Sequence, residues 1–398
     1  MTSSGDPRSW RYIDTVDGYE DAVAELAAGV GPIGVDTERA SGFRYSNRAY
    51  LIQFAREGSQ TFLFDPTAIG SFELLQSQLS AHEWILHAAT QDLPCLREAG
   101  LNPTLIFDTE LASRLLGLER VGLGAVVAEL LNIELEKAHG ASDWSTRPLP
   151  QSWLEYAALD VSLLPELRSS LRAELAAADK FDFAVEEFEY LVHWQPKESS
   201  TEPWRRLSAI SKLNSQRQLA IARSLWEARD SLGRERDVAP GRLLPDSSII
   251  AASLEPPRSR GHLAAMKTFT GRASRSELDL WWLAVIQGKE TEDLPELRVR
   301  STGIPNHRSW PHRFPAADER LKAARAELQE LSQALKIPLE NLMSPQLLRE
   351  ICFNPPATPH IEVIEAQLRE SGARNWQARL SAPAIHRAFA LAESDHSA

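Results

Sequence analysis

Over the first 190 or so residues, short apolar runs alternate with amphipathic ones. "GPIGVDTE" (31–38), "AYLIQFA" (49–55), "TFLFDP" (61–66), "EWILHAA" (83–89) and "TLIFD" (104–108) are four to eight residues long and bounded by turn residues, which predicts strands. Between and after them, "SFELLQSQLS", "TQDLPCLREAG", "TELASRLLG" and "LGAVVAELLNI" carry apolar residues at helical spacing, and residues 150–178 read as one long helical run. Strands interleaved with helices predict an α/β domain around a mixed sheet. The polar, proline-containing "QPKESSTEPWRR" (195–206) marks a boundary. Beyond it the pattern is wholly helical, and "LPELRVRSTGIPNHRSWPHRFP" (294–315) separates two helical blocks of similar length. The expected organisation is an α/β domain over 1–200, a helical domain over 207–290, a linker over 291–315 and a second helical domain over 316–395.

Composition changes this picture little, but charge does. The formal charge of −12 speaks against a polyanionic partner. The average conceals a division: residues 1–200 hold 15 Lys and Arg against 31 Asp and Glu, whereas residues 204–275 hold 14 against 6. An acidic first domain beside a basic second one fits a nuclease that gathers metal ions in one part and holds the polymer with another. No apolar run approaches the ~18 residues that span a bilayer, and "MTSSGDPRSW" lacks the features of a secretory signal. A cytoplasmic monomer with no membrane partner is expected. The two cysteines, Cys95 and Cys352, form no metal-binding cluster and no disulfide framework.

The candidate chemistry is carboxylate chemistry. Alternate strand residues share a face, so Asp36 and Glu38 project together, about 7 Å apart. Asp92 follows the strand "EWILHAA" at the start of a helix. "YAALD" puts Tyr156 and Asp160 at i, i+4 on one helical face. Asp108 fits a helix N-cap. Four converging acids would repel one another strongly. Hard divalent cations such as Mg²⁺ or Mn²⁺ relieve this, because they prefer carboxylate oxygens. A pair of them about 4 Å apart serves phosphodiester hydrolysis.

With these residues in view, "VDTE", "LHAATQDL" and "YAALD" resemble the three motifs of the DEDDy class of 3′→5′ exonucleases. "LIQFA", "FDTELASRLLG" and, above all, "DWSTRPL" (143–149) are similar to its ribonuclease D branch. The resemblance covers roughly residues 10–195. It implies a ribonuclease H-like α/β fold, a mixed central sheet flanked by helices. It also implies two divalent ions: Asp36 bridging both, Glu38 and Asp160 completing the first site, Asp92 holding the second, and Tyr156 orienting the attacking water. The implied activity is stepwise release of nucleoside 5′-monophosphates from RNA 3′ ends, with trimming of tRNA precursors or other stable RNAs as the expected role.

"RQLAIARSLWEARDSLGRERDVAPGRLLPDSSIIAAS" with "LAAMKTFTG" resembles the HRDC module, a small helical domain, and residues 316–395 stand where family members carry a second, more diverged copy. One or two all-α HRDC-like domains are therefore expected. Arg217 and Arg242 in the basic segment, and Arg147 in "DWSTRPL", are candidate nucleic-acid contacts. Two other readings stay open: a DNA exonuclease, which shares the catalytic set, and a catalytically inactive RNA-binding protein.

Overall fold

The computed structural model describes residues 9–135, 140–197, 201–298 and 303–394 of the 398. The first and last residues expected in the domains, and residues 198–200 and 299–302 of the two expected linkers, lie outside the described residues.

Six strands form one sheet: β1 (Trp10–Ile13), β2 (Val30–Arg39), β3 (Ala49–Glu57), β4 (Thr61–Phe64), β5 (Glu83–Leu86) and β6 (Leu105–Asp108), in the order β1-β4-β3-β2-β5-β6. Only β3 runs antiparallel to its neighbours, so the sheet is mixed, as expected. The five apolar runs of the sequence are β2 to β6. β1 was not anticipated. It is an edge strand of four residues with one buried side chain, Ile13, and such a short half-exposed stretch leaves no pattern to read.

The long helical run over 150–178 breaks into Gln151–Ser162 and Leu164–Ala177, with a proline in the first turn of the second helix. Pro165 has no N–H to give the Val161 carbonyl four residues earlier, so the ladder stops there. That carbonyl lies against β2, where a Cβ on Gly34 would stand only 2.7 Å from it. Glycine lets the helix settle directly on the strand that carries Asp36 and Glu38. Leu51, Leu63, Trp144, Leu154, Ala157 and Ala158 close the packing on this face of the sheet.

Besides that small cluster, two larger apolar cores organise the described residues. The middle helical block has its own, around Leu225, Phe269 and Trp281. The last block does not. Its apolar side chains, from Trp310 to Phe389, run on without a break from those of the sheet and its helices. Trp376 stacks on Phe183 (centroids 4.9 Å apart, planes at 14°) and its indole N–H donates to Glu187 at 3.0 Å. Lys180 reaches across to the carbonyls of Leu115 and Lys336. Even the stretch expected as linker contributes: Trp310 is fully buried, its ring tilted against Phe353 at 5.2 Å.

The two helical blocks open alike. Gln216–Arg236, Pro240–Leu243 and Asp246–Leu254 recur as Pro315–Leu335, Leu339–Leu342 and Pro345–Phe353, each 99 residues further along. Both long helices end on a left-handed residue, Asp237 (φ 48°) and Lys336 (φ 50°). No helix among the described residues is long and apolar enough to cross a membrane.

Candidate active site

Asp36 and Glu38 leave β2 on the face covered by the helix Gln151–Ser162, and that helix brings Tyr156 and Asp160 over them. The Tyr156 hydroxyl donates to the Asp160 carboxylate. Thr37, between the two acids, points to the other face, where its hydroxyl donates to Asp92 at 2.6 Å. Asp92 opens the helix Leu93–Glu98 but does not cap it; its side chain turns to Thr37 and to Arg39, 4.0 Å away. Arg39 in turn donates to the Gln91 carbonyl at 2.7 Å, which holds the Asp92 turn against β2. Three chain segments spread over more than a hundred residues of sequence thus meet at the end of one strand.

The turn before Asp92 is strained, and another acid holds it. Ala88 adopts a left-handed conformation (φ 62°), uncommon without glycine. The buried Asp108 carboxylate accepts from Ala88 N (3.3 Å) and Ala89 N (2.7 Å) as well as from Leu111 N (3.0 Å). Asp108 is therefore the expected N-cap and, in addition, the clamp of the Asp92 turn. Sequence reasoning missed that second task, as it missed those of Gly34 and Thr37. A glycine inside a strand pattern was the one available signal of close approach.

Electrostatically the site is under load. Burial, then the charges of Asp92 and Asp160, hold the Asp36 carboxyl well above its ordinary range. Glu38 is raised by burial and by Asp36, Asp160 and Asp92. Burial pushes Asp92 up to about 6 against the opposing effects of Thr37 and Arg39, and pushes Asp160 up to about 6 against the hydrogen bond from Tyr156. Tyr156 is raised by burial and by Asp160, so its phenol is neutral. Among the described residues, no three His, Cys, Asp or Glu side chains already close on one point at ligating distance.

"DWSTRPL" packs beside this site. Trp144 is fully buried, and the Ser145 hydroxyl accepts from Arg44 at 2.8 Å. All five N–H donors of Arg147 are engaged: two on Asp65, one on Tyr50 O, one on Trp144 O and one on Thr146 O. Burial raises the Asp65 carboxyl, but Arg147, Thr67 and Tyr12 outweigh it and hold the group at about 2. Arg147 has no donor left for a phosphate, which corrects its expected role: it is an internal clamp. Arg217 donates to the carbonyls of Gly288 and Thr291 and ties the ends of the middle block together. Arg242 is exposed, with Nε on the Gly42 carbonyl at 2.6 Å and its guanidinium over the Phe43 ring. It stands where the middle block docks on the loop that leaves β2. There Asp237 accepts from Ser46 N (2.8 Å) and Tyr50 (3.1 Å).

Comparison with known proteins agrees with this architecture. A family model described as "3'-5' exonuclease" matches residues 10–176, one described as "HRDC domain" matches 218–285, and one described as "3' to 5' exonuclease C-terminal domain" matches 303–389. A ribonuclease D of Jannaschia sp. (strain CCS1) is 32% identical over 285 residues, covering 69% of this chain and 70% of that protein. The chain belongs to the ribonuclease D family. It is accordingly a 3′→5′ exoribonuclease. A crystal structure of a protein from Bifidobacterium adolescentis is 36% identical and superposes with a TM-score of 0.85, covering 95% of this chain and 96% of that one. Escherichia coli RNase D, at 24% identity, shares the fold over 96% of this chain and 99% of its own, with a TM-score of 0.69. The last block of this ribonuclease D family member thus matches a model of its own rather than a second HRDC match.

Proposed function

We propose that the chain removes nucleotides from RNA 3′ ends by divalent-metal-assisted hydrolysis, releasing nucleoside 5′-monophosphates. The observation that carries this is the meeting of Asp36, Glu38, Asp92 and Asp160 at one strand end, with all four carboxyls raised by burial and those of Asp36 and Glu38 raised further by the acids around them. Four acid side chains, Glu38 and Asp92 buried and Asp36 and Asp160 half-buried, beside the guanidinium of Arg39 make a hard-oxygen donor set suited to Mg²⁺ or Mn²⁺. Asp36 would serve two ions, Glu38 and Asp160 the first, and Asp92 the second. Bound there, divalent cations lower the pKa of water and offset negative charge on the leaving oxygen.

The chain's own groups do the rest. Tyr156 keeps its proton in the hydrogen bond it donates to Asp160, and its phenol oxygen would accept from an O–H of the attacking water and so aim that water at phosphorus. The water oxygen forms the new bond to the terminal phosphorus, the bond to the 3′-oxygen of the preceding nucleotide breaks, and that oxygen takes up a proton. Structured stable RNAs, tRNA precursors among them, are the substrates we favour, because the related E. coli enzyme is described as an exoribonuclease involved in structured RNA processing. Arg242, exposed beside the loop that leaves the catalytic strand, remains our candidate RNA contact.

The test is digestion of 3′-extended tRNA, unstructured RNA and single-stranded DNA with Mg²⁺ and with Mn²⁺, using wild type, Asp36→Ala, Asp160→Ala and Tyr156→Phe. Both alanine variants should be folded and inactive, and Tyr156→Phe should lose less. Undiminished hydrolysis by either alanine variant would refute the assignment, and equal digestion of DNA would refute the RNA preference.

A further inference from the structure

Gln53 is the one polar side chain in the middle of β3, is 0% exposed, and has no hydrogen-bond partner for either Nε2 or Oε1. Leaving a buried amide unpaired costs about 1–3 kcal/mol, so its presence in an otherwise apolar strand calls for a compensating task. The register supplies one. Gln53 lies directly opposite Asp36 in the antiparallel β2–β3 pair, and on its other side opposite Leu63 of β4. Directly opposed residues project to the same face with Cβ atoms about 5 Å apart, within reach of a glutamine amide. The same face is roofed by Ala157, one residue from Tyr156. The other charged neighbours of Asp36 are three acids, Glu38, Asp92 and Asp160, and Arg39, which stands on the Asp92 side.

We propose that Gln53 is the positioning residue of Asp36: its amide N–H donates, through one buried water, to the Asp36 carboxylate. Ligating carboxylates depend on such outer partners for their aim, and loss of one typically lowers metal affinity about 10- to 100-fold. Gln53 touches neither substrate nor cation, and its effect runs entirely through Asp36. The inference rests on the metal reading above.

The readout is metal binding without turnover: Mn²⁺ titration of the full chain followed by electron paramagnetic resonance, with thermal melting in EDTA alongside. Gln53→Leu, close in size but unable to donate, should bind Mn²⁺ about tenfold more weakly while melting at or above the wild-type temperature. The Mg²⁺ concentration for half-maximal activity should rise in step, with the KM for RNA unmoved. Gln53→Met, unbranched like glutamine, is run beside it so that a packing failure of leucine leaves the reading intact. Wild-type Mn²⁺ affinity in a folded Gln53→Leu or Gln53→Met variant would overturn the role of Gln53 alone. A wild-type protein that takes up no Mn²⁺ would overturn the metal reading, and this inference with it.

Discussion

Replacing Asp160 by asparagine should make the protein more stable and inactive. Burial moves the Asp160 carboxyl from an ordinary value near 3.8 up to about 6. At about 1.4 kcal/mol per pH unit, its ionised form costs the folded state up to about 3 kcal/mol at neutral pH. The sign follows from proton binding: the folded chain holds this proton more tightly than the unfolded one. Stability therefore falls as pH rises from about 4 to about 6, then levels off. Asparagine keeps the shape and an acceptor for the Tyr156 hydroxyl but carries no charge. Because the charge of Asp160 also raises Asp36 and Glu38, removing it relieves them as well. We expect Asp160→Asn to gain about 1–3 kcal/mol at pH 7.5 in EDTA, and little at pH 4. The assay is thermal and urea denaturation of both proteins at the two pH values, repeated with 10 mM Mg²⁺ as an added ligand at roughly saturating concentration. Mg²⁺ should stabilise the wild type and hardly move the variant. A variant that melts at or below wild type at pH 7.5 in EDTA would show that Asp160 carries no such strain.

Three further outcomes are expected. Gly34→Ala sets a methyl group 2.7 Å from the Val161 carbonyl, a backbone atom that moves only with its helix. We anticipate a loss of about 1–3 kcal/mol and a larger loss of kcat at saturating Mg²⁺, as Asp160 shifts off Asp36; wild-type kcat would contradict the close-packing argument. Arg147→Met strands the buried Asp65 and should cost about 3–5 kcal/mol by denaturant melts, with RNA affinity of the folded fraction unchanged; the converse pattern would restore Arg147 as an RNA contact. Truncation after residue 302 uncovers the Phe183 ring and removes both partners of Glu187, Trp376 and Arg374. The shortened protein should melt lower and expose apolar surface to a fluorescent dye, and an unchanged melting temperature would mean that the shared core contributes nothing.

Much of the site was legible because its residues announce themselves locally. A strand ending in two acids at i, i+2 puts both on one face whatever the rest of the chain does, and Tyr156 and Asp160 share a helix face for the same geometric reason. What surrounds them was not legible. Thr37 lies between the acids in sequence yet serves the opposite face. Arg147 sits in a distinctive string and reads as a phosphate contact, but its donors are all engaged by Asp65 and by carbonyls up to 97 residues away. Charge in a sequence does not say which acceptors it will meet.

Residue type and spacing alone were enough for the five apolar strands β2 to β6, for the alternation that makes an α/β sheet, and for the pairs of site residues that share a strand or helix face. Those properties depend on periodicity and residue type over a few positions. That the last helical block shares one continuous core with the sheet, while the middle block keeps its own, emerged only from the packing of the folded chain. It alone also decided that Gly34 admits the helix bearing Asp160, and that Gln53 lies across the ladder from Asp36. Such facts follow from which surfaces exclude water against each other, and an apolar stripe on a helix specifies that it will be buried without specifying against what.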